Sequence, residues 1–302
     1  MSLNRNVLTL LAAIALAACG FAASAQDKPK VVATFSILAD LAKNVGGDRV
    51  EVATLVGPDG DAHVYSPTPA DGRRLAEAKL VVANGLKLEG WMGRLIKSSG
   101  TAAPVVEAAK GVQPLKAEEH GHDHGHADVD PHAWQSVAKV KRYVTNIRDG
   151  LIAADPAGKA AYEANAAAYL ERLDALDRDV KAAIDAIPRD RRKIITSHDA
   201  FGYFQKAYGV TFVAPQGVST EAEASAKDVA KIIQQIRREK IPAVFLENVS
   251  DPRLLERIAK ESGAKIGGRL YSDALSGQDG PAGTYIDMMR HNIRALSAAL
   301  SS

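Results

Sequence analysis

The sequence predicts an α/β protein built as two lobes. Short β-branched runs alternate with amphipathic stretches in both halves of the chain. A single helical stretch of about 30 residues separates the two sets. The length, 302 residues, exceeds what one hydrophobic core usually serves.

In chain order, Val31 to Phe35 reads as a strand, Leu38 to Val45 as a helix, and Val50 to Val56 and Leu80 to Ala83 as further strands. Leu88 to Ser98 carries its apolar residues at helical spacing, and Val105 with Val106 suits one more short strand. Strand-rich sequence ends near residue 130, and the N-terminal lobe is assigned to residues 26–155. A helix is predicted from about Gln135 to Ala153, then a second from Ala157 to Ile187, with Pro156 at its first turn and Pro188 at its stop. At 1.5 Å per residue the second spans roughly 45 Å, longer than a small lobe is wide, so residues 156–188 are assigned as a strut between lobes. The alternation resumes in residues 189–302. Strands are expected at Lys193 to Thr196, Val210 to Ala214, Ala243 to Glu247 and Lys265 to Leu270, and helices near Phe201, Val229 and Leu254 and from about Gly283 to Leu300. No internal repeat of fixed period is visible.

Residues 1–25 read as an export signal: Arg5 supplies the positive charge, Val7 to Ala18 the apolar stretch, and Ala23-Ser24-Ala25 an A-x-A cleavage site before Gln26. The apolar stretch is too short to span a bilayer, so the mature chain is expected to be water-soluble outside the cytoplasm. Cys19 is the only cysteine, and its loss with the signal would leave nitrogen and oxygen as the metal donors. Leu16-Ala17-Ala18-Cys19 also resembles a lipoprotein cleavage box, the second option, in which Cys19 would be lipidated and retained.

A net charge of +2 with no long run of like charge speaks against nucleic acid as partner. The sequence contains no H-E-x-x-H, no G-x-S-x-G, no phosphate-binding glycine loop and no dinucleotide fingerprint, so hydrolase and nucleotide readings lack their anchors. Ser197-His198-Asp199 is contiguous, and adjacent residues seldom converge on one reacting atom.

Histidine carries the strongest chemical signal. The tract from His120 to His126 reads H-G-H-D-H-G-H, a glycine-broken polar loop that cannot build a core. Its four imidazoles, His120, His122, His124 and His126, suit weak binding of zinc, nickel or copper; the alternative is a solvated loop. Elsewhere His63, His132 and His198 stand where a strand or loop gives way to a helix or turn, whereas His291 lies inside the last helix and is read as structural or surface. Asp61, Asp130 and Asp199 are available to orient the rings, and each equally suits a helix cap or turn.

Five segments together carry a resemblance: G-P-D-G-D-A-H-V-Y-S-P-T-P-A-D from Gly57, V-D-P-H-A-W from Val129, T-S-H-D-A-F-G-Y-F from Thr196, V-F-L-E-N from Val244 and Y-S-D-A-L-S from Tyr271. In this combination and order the chain resembles the metal-binding solute-binding proteins of ABC importers, the zinc and manganese receptors, over nearly all of its mature length. The resemblance implies two α/β lobes joined by a single long rigid helix, with the metal site in the interlobe cleft. It implies His63 and His132 as ligands from the first lobe and His198 and Asp273 from the second. Without it, Asp273 is only an aspartate in a loop, and Glu247 joins Asp61, Asp130 and Asp199 as a candidate to orient an imidazole. Family members with glutamate at the third position resemble manganese or iron receptors. Histidine there, as at His198, resembles the zinc-receptor subgroup, and three imidazoles with one carboxylate suit tetrahedral Zn2+. The chain departs from many relatives at Gln135-Ser136-Val137, where an acidic residue and proline are usual, so the start of that helix is expected to differ.

The expected function is capture of Zn(II) in the periplasm and its delivery to an ABC permease in the inner membrane, by a monomer and without catalysis. A metal-delivering chaperone is a further candidate partner. A manganese or iron receptor is the alternative within the class, and a zinc-dependent hydrolase the alternative outside it. Affinity is expected to fall as pH drops through about 6.5, the ordinary histidine value.

Overall fold

The computed structural model describes residues 28–117 and 129–301. The export segment 1–25, with Cys19, and the histidines at 120, 122, 124 and 126 lie outside the described residues.

Each half of the chain builds a four-stranded, all-parallel sheet. The first contains β1 (Lys30–Phe35), β2 (Glu51–Val56), β3 (Leu80–Ala83) and β4 (Val105–Glu107) in the order β2-β1-β3-β4. The second contains β5 (Lys193–Ile195), β6 (Thr211–Val213), β7 (Ala243–Glu247) and β8 (Lys265–Leu270) in the order β6-β5-β7-β8. Val31 to Phe35 and Leu80 to Ala83 are buried without alternation, the pattern of strands covered on both faces. In both sheets the strand order reverses beside the first strand, and the loops leaving the carboxyl ends on either side of such a reversal open a crevice.

In the first half the helices are α1 (Ser36–Gly46), α2 (Pro69–Glu77), α3 (Met92–Ser99) and α4 (Val137–Ala154). α5 (Lys159–Asp185) follows, and then α6 (Gly202–Tyr208), α7 (Ala226–Glu239), α8 (Arg253–Ser262) and α9 (Tyr285–Leu300). α2 has little apolar periodicity to announce it, and its start is fixed by chemistry: Asp71 Oδ2 accepts from the Thr68 N–H and the Thr68 hydroxyl at 2.7 Å each, with Pro69 in the first turn. α4 begins at Val137 and not at Gln135, because Ala133 to Gln135 form a tight 3₁₀ turn before Ser136 enters the helix.

The long helix is shorter than its periodicity suggests. Pro156 to Gly158 form a 3₁₀ turn, and α5 then runs 27 residues, about 40 Å at 1.5 Å per residue. Its buried positions, Tyr162, Ala166, Tyr169, Leu173, Leu176, Val180 and Ile184, recur every three or four residues and form one stripe. That stripe packs on α1 and α4 from the first half and on α9 from the second. One continuous hydrophobic core therefore runs from the first sheet through α5 to Phe245, Leu270 and α9, and a second, smaller core lies between the second sheet and α7 and α8.

The β7–β8 ladder shifts register between Val244 and Phe245. Gly268 takes φ +131° there, and a side chain at Gly267 would strike the Phe245 ring at 2.5 Å, so this strand edge requires glycine.

Candidate metal centre

Four loops bring three imidazoles and one carboxylate into the crevice between the sheets. His63 follows β2, His132 precedes α4, His198 stands three residues beyond the end of β5, and Asp273 three beyond the end of β8. One donor atom from each lies within 4.8 Å of the others. Nε2 of His63 is 3.2 Å from Nε2 of His132. Asp273 Oδ2 is 3.0 Å from His198 Nε2 and 3.4 Å from His63 Nε2, and its Oδ1 is 3.6 Å from His132 Nε2. His132, His198 and Asp273 are fully buried, and His63 is 8% exposed. Among the described residues no hydrogen-bond donor is aligned on either buried oxygen of Asp273, and ring nitrogens of three histidines stand near it, a costly arrangement unless a positive charge sits among them.

The distal ring nitrogens are held from behind. His132 Nδ1 lies 2.8 Å from Asp130 Oδ1, which also accepts the His132 backbone N–H at 2.9 Å. His198 Nδ1 lies 2.7 Å from Glu247 Oε2, and Glu247 Oε1 accepts the backbone N–H groups of Ser197 and His198 at 2.6 and 3.0 Å. Glu247 is the last residue of β7, the neighbour of β5, so the strand reversal itself sets this carboxylate behind His198. Each pair turns its Nε2 toward the cluster, where the neutral ring would present a lone pair to a cation. Asp61 acts differently: its Oδ1 accepts the His63 backbone N–H at 2.8 Å and does not touch the ring. Asp199 donates its backbone N–H to Gly217 O at 3.1 Å and lines a surface cavity with Leu115 and Lys206. His291, in α9, meets Arg269 O at 3.0 Å, a local structural contact.

The cluster is charge-coupled. Burial opposes protonation of His132, but Asp273 and Asp130 outweigh it and raise its pKa to about 9. His198 is pushed well above the ordinary value in the same way, the Glu247 and Asp273 charges overcoming burial. Burial alone would raise Asp273, yet the His198 and His132 charges hold it well below the usual carboxylate range. Protons thus stand where a divalent cation would supply the same charge.

Four hydrogen bonds at the site have no sequence signal. Trp134 Nε1 and Gln135 Nε2 both donate to the carbonyl of Ser272, at 2.8 and 2.6 Å, and so fix the residue before Asp273. Asn84, directly after β3, donates to Pro131 O at 3.0 Å and steadies the turn that carries His132. Thr220 donates to Asp61 Oδ2 at 2.6 Å across 159 residues. Each pairs a polar group with a partner far away in the chain.

Two parallel α/β lobes backed by one long helix, with three imidazoles and a carboxylate buried between them, define a metal-binding solute-binding protein. The family model "ZnuA: Zinc-uptake complex component A periplasmic" matches residues 31–299, and the chain belongs to this family of transport binding proteins, which are not enzymes. It is 34% identical over 307 residues to the manganese ABC transporter substrate-binding lipoprotein PsaA of Streptococcus pneumoniae, covering 98% of each chain. It is 36% identical over 283 residues to the iron-binding protein YfeA of Yersinia pestis, covering 91% of this chain and 90% of that one. Among solved structures, the periplasmic zinc-binding protein TroA of Treponema pallidum superposes with a TM-score of 0.84 at 34% identity, over 90% of this chain and 99% of that one. Relatives named for manganese, iron and zinc are thus similar to this chain over nine-tenths or more of its length, and metal binding is what their names have in common.

Proposed function

We propose that the chain captures Zn(II) through His63, His132, His198 and Asp273 and delivers it in the periplasm to the permease of an ABC importer. The observation that carries the metal assignment is the donor set: three Nε2 atoms and one carboxylate converge, a soft-leaning group that suits four-coordinate zinc. His198 is decisive, because a carboxylate at its position would shift the set toward oxygen and a harder ion. The ion is cargo, so the protein's work is to bind it, exclude water from it and release it at the membrane.

A manganese reading has one structural observation in its favour beyond the name of PsaA. Both oxygens of Asp273 face the imidazoles, so a bidentate carboxylate would give five donors and a site closer to the needs of a harder ion. Since zinc outcompetes manganese at most nitrogen and oxygen sites, the two are separated by the ion that protein purified from Gln26 onward carries and by the donor number of that ion from X-ray absorption, with competitive titration as a check. Zinc is expected as the carried ion, held by the four donors at one tight site, and His198→Ala is expected to abolish that site while deletion of residues 120–126 leaves it. Manganese carried with a higher donor number, or manganese that resists displacement by zinc, would overturn the zinc assignment, and tight zinc that survives His198→Ala would overturn the four-donor site. The two options at the N-terminus, cleavage before Gln26 or lipidation at Cys19, differ in the mass of the exported protein.

A further inference from the structure

Of the four donors, His63 is held least firmly. His132 and His198 each meet a carboxylate at Nδ1, whereas His63 has no such partner among the described residues and is the one donor with measurable exposure. Its position is set through its backbone. Asp61 Oδ1 accepts the His63 N–H, and Trp91 Nε1 donates to Ala62 O at 2.8 Å. The other oxygen of Asp61 accepts the hydroxyl of Thr220 at 2.6 Å. Thr220 lies in the loop between β6 and α7, and that loop is itself tied to the His198 turn: Asp199 N–H binds Gly217 O at 3.1 Å, and Gln216 N–H binds Ser197 O at 3.3 Å. One carboxylate therefore joins the backbone of one donor loop to the loop that rests on another, across the crevice.

We infer that Thr220 is a positioning residue, which fastens the His63 loop to the second lobe through Asp61 and so sets how fast the metal escapes. The inference rests on the site proposed above. His63 is the donor nearest solvent, so an ion leaving the cluster loses this ligand first, and the loop must swing away for it to do so. The Thr220 hydroxyl opposes that swing with a hydrogen bond to a charged acceptor, a contact stronger than a neutral one. Two further bonds, Asp59 N–H to Leu275 O at 2.9 Å and Asn248 Nδ2 to Asp59 Oδ1 at 3.0 Å, stitch the base of the same loop and remain when Thr220 is changed. Loss of the hydroxyl should therefore loosen residues 60–63 without unfolding the loop.

The test compares Thr220→Val, which keeps shape and removes the hydroxyl, with Thr220→Ser, which keeps the hydroxyl. Zinc-loaded proteins are mixed with excess chelator and the release rate is followed, and amide hydrogen exchange is measured on the metal-free proteins. Thr220→Val is expected to release zinc roughly tenfold faster, with little change in association rate, and to exchange the His63 amide faster. Thr220→Ser is expected to behave as wild type, and the melting temperature of all three metal-free proteins should agree, since Thr220 is a half-exposed loop residue. Wild-type release and exchange in Thr220→Val would overturn the inference. His198→Ala, measured alongside, isolates the underlying site: if it holds zinc as tightly as wild type, the site assignment fails whatever Thr220 does.

Discussion

At the scale of single residues, the decisive property of the site is that two of its imidazoles, His132 and His198, are made basic by the carboxylates around them. His132 is raised to about 9 and His198 also lies above the ordinary histidine value, because Asp130, Glu247 and Asp273 face them in a buried space. A raised pKa means that the metal-free protein keeps these protons at neutral pH, and an incoming ion must expel them. Affinity for zinc should therefore already fall below about pH 9, roughly tenfold per pH unit for each proton displaced. This moves the window up from the 6.5 expected for an ordinary imidazole, and it follows from the carboxylates behind the rings. Titrations at pH 8 and 6 should differ by at least about a hundredfold in affinity. An affinity that stayed flat down to about 6.5 would mean that the rings titrate as if exposed.

At the scale of elements, α5 and the strand ends determine where the donors stand. The apolar stripe of α5 was legible as periodicity, and its burial against α1, α4 and α9 shows what that stripe is for. Leu173 lies in the middle of the stripe and is fully buried. Leu173→Ala should cost about 2–5 kcal/mol of stability through lost burial and a residual cavity. Thermal denaturation of the metal-free variant checks this, with a fall of roughly 2–4 °C per kcal/mol expected for a chain of this size. A change within about 0.5 kcal/mol, the range of ordinary surface substitutions, would mean that the helix is not a shared wall of the core. The same metal-free measurement on Thr220→Val gives the contrast, since that residue belongs to a loop. α2 escaped the periodicity because only Asp71 and Leu75 are buried in it, and a capping box on Thr68 and Asp71 substitutes for an apolar face.

At the scale of the whole molecule, the hydrophobic core is continuous between the halves through α5 and α9, and the Trp134 ring sits 5.1 Å from Phe35 while donating to Ser272 O. Lobes joined by a shared apolar core resist rigid-body opening, so metal binding should proceed by loop adjustment, with Cα movement outside the loops of about 1 Å or less. Small-angle scattering with and without zinc should give superimposable profiles at low angle, and a clear contraction on loading would show a hinge that this core does not suggest. The α/β alternation, the long helix and the polar stations at His63, His132 and His198 are legible in the sequence, because they depend on local periodicity and on residues whose chemistry is rare. The sequence marked Asp273 only through resemblance, since one aspartate in a loop has no local signature. The seating of Glu247 behind His198, the pairing of Trp134 and Gln135 with Ser272, and the bond from Thr220 to Asp61 emerge only on folding. Those contacts join groups up to 159 residues apart, and a polar side chain records in its own neighbourhood no trace of the partner that folding will bring to it.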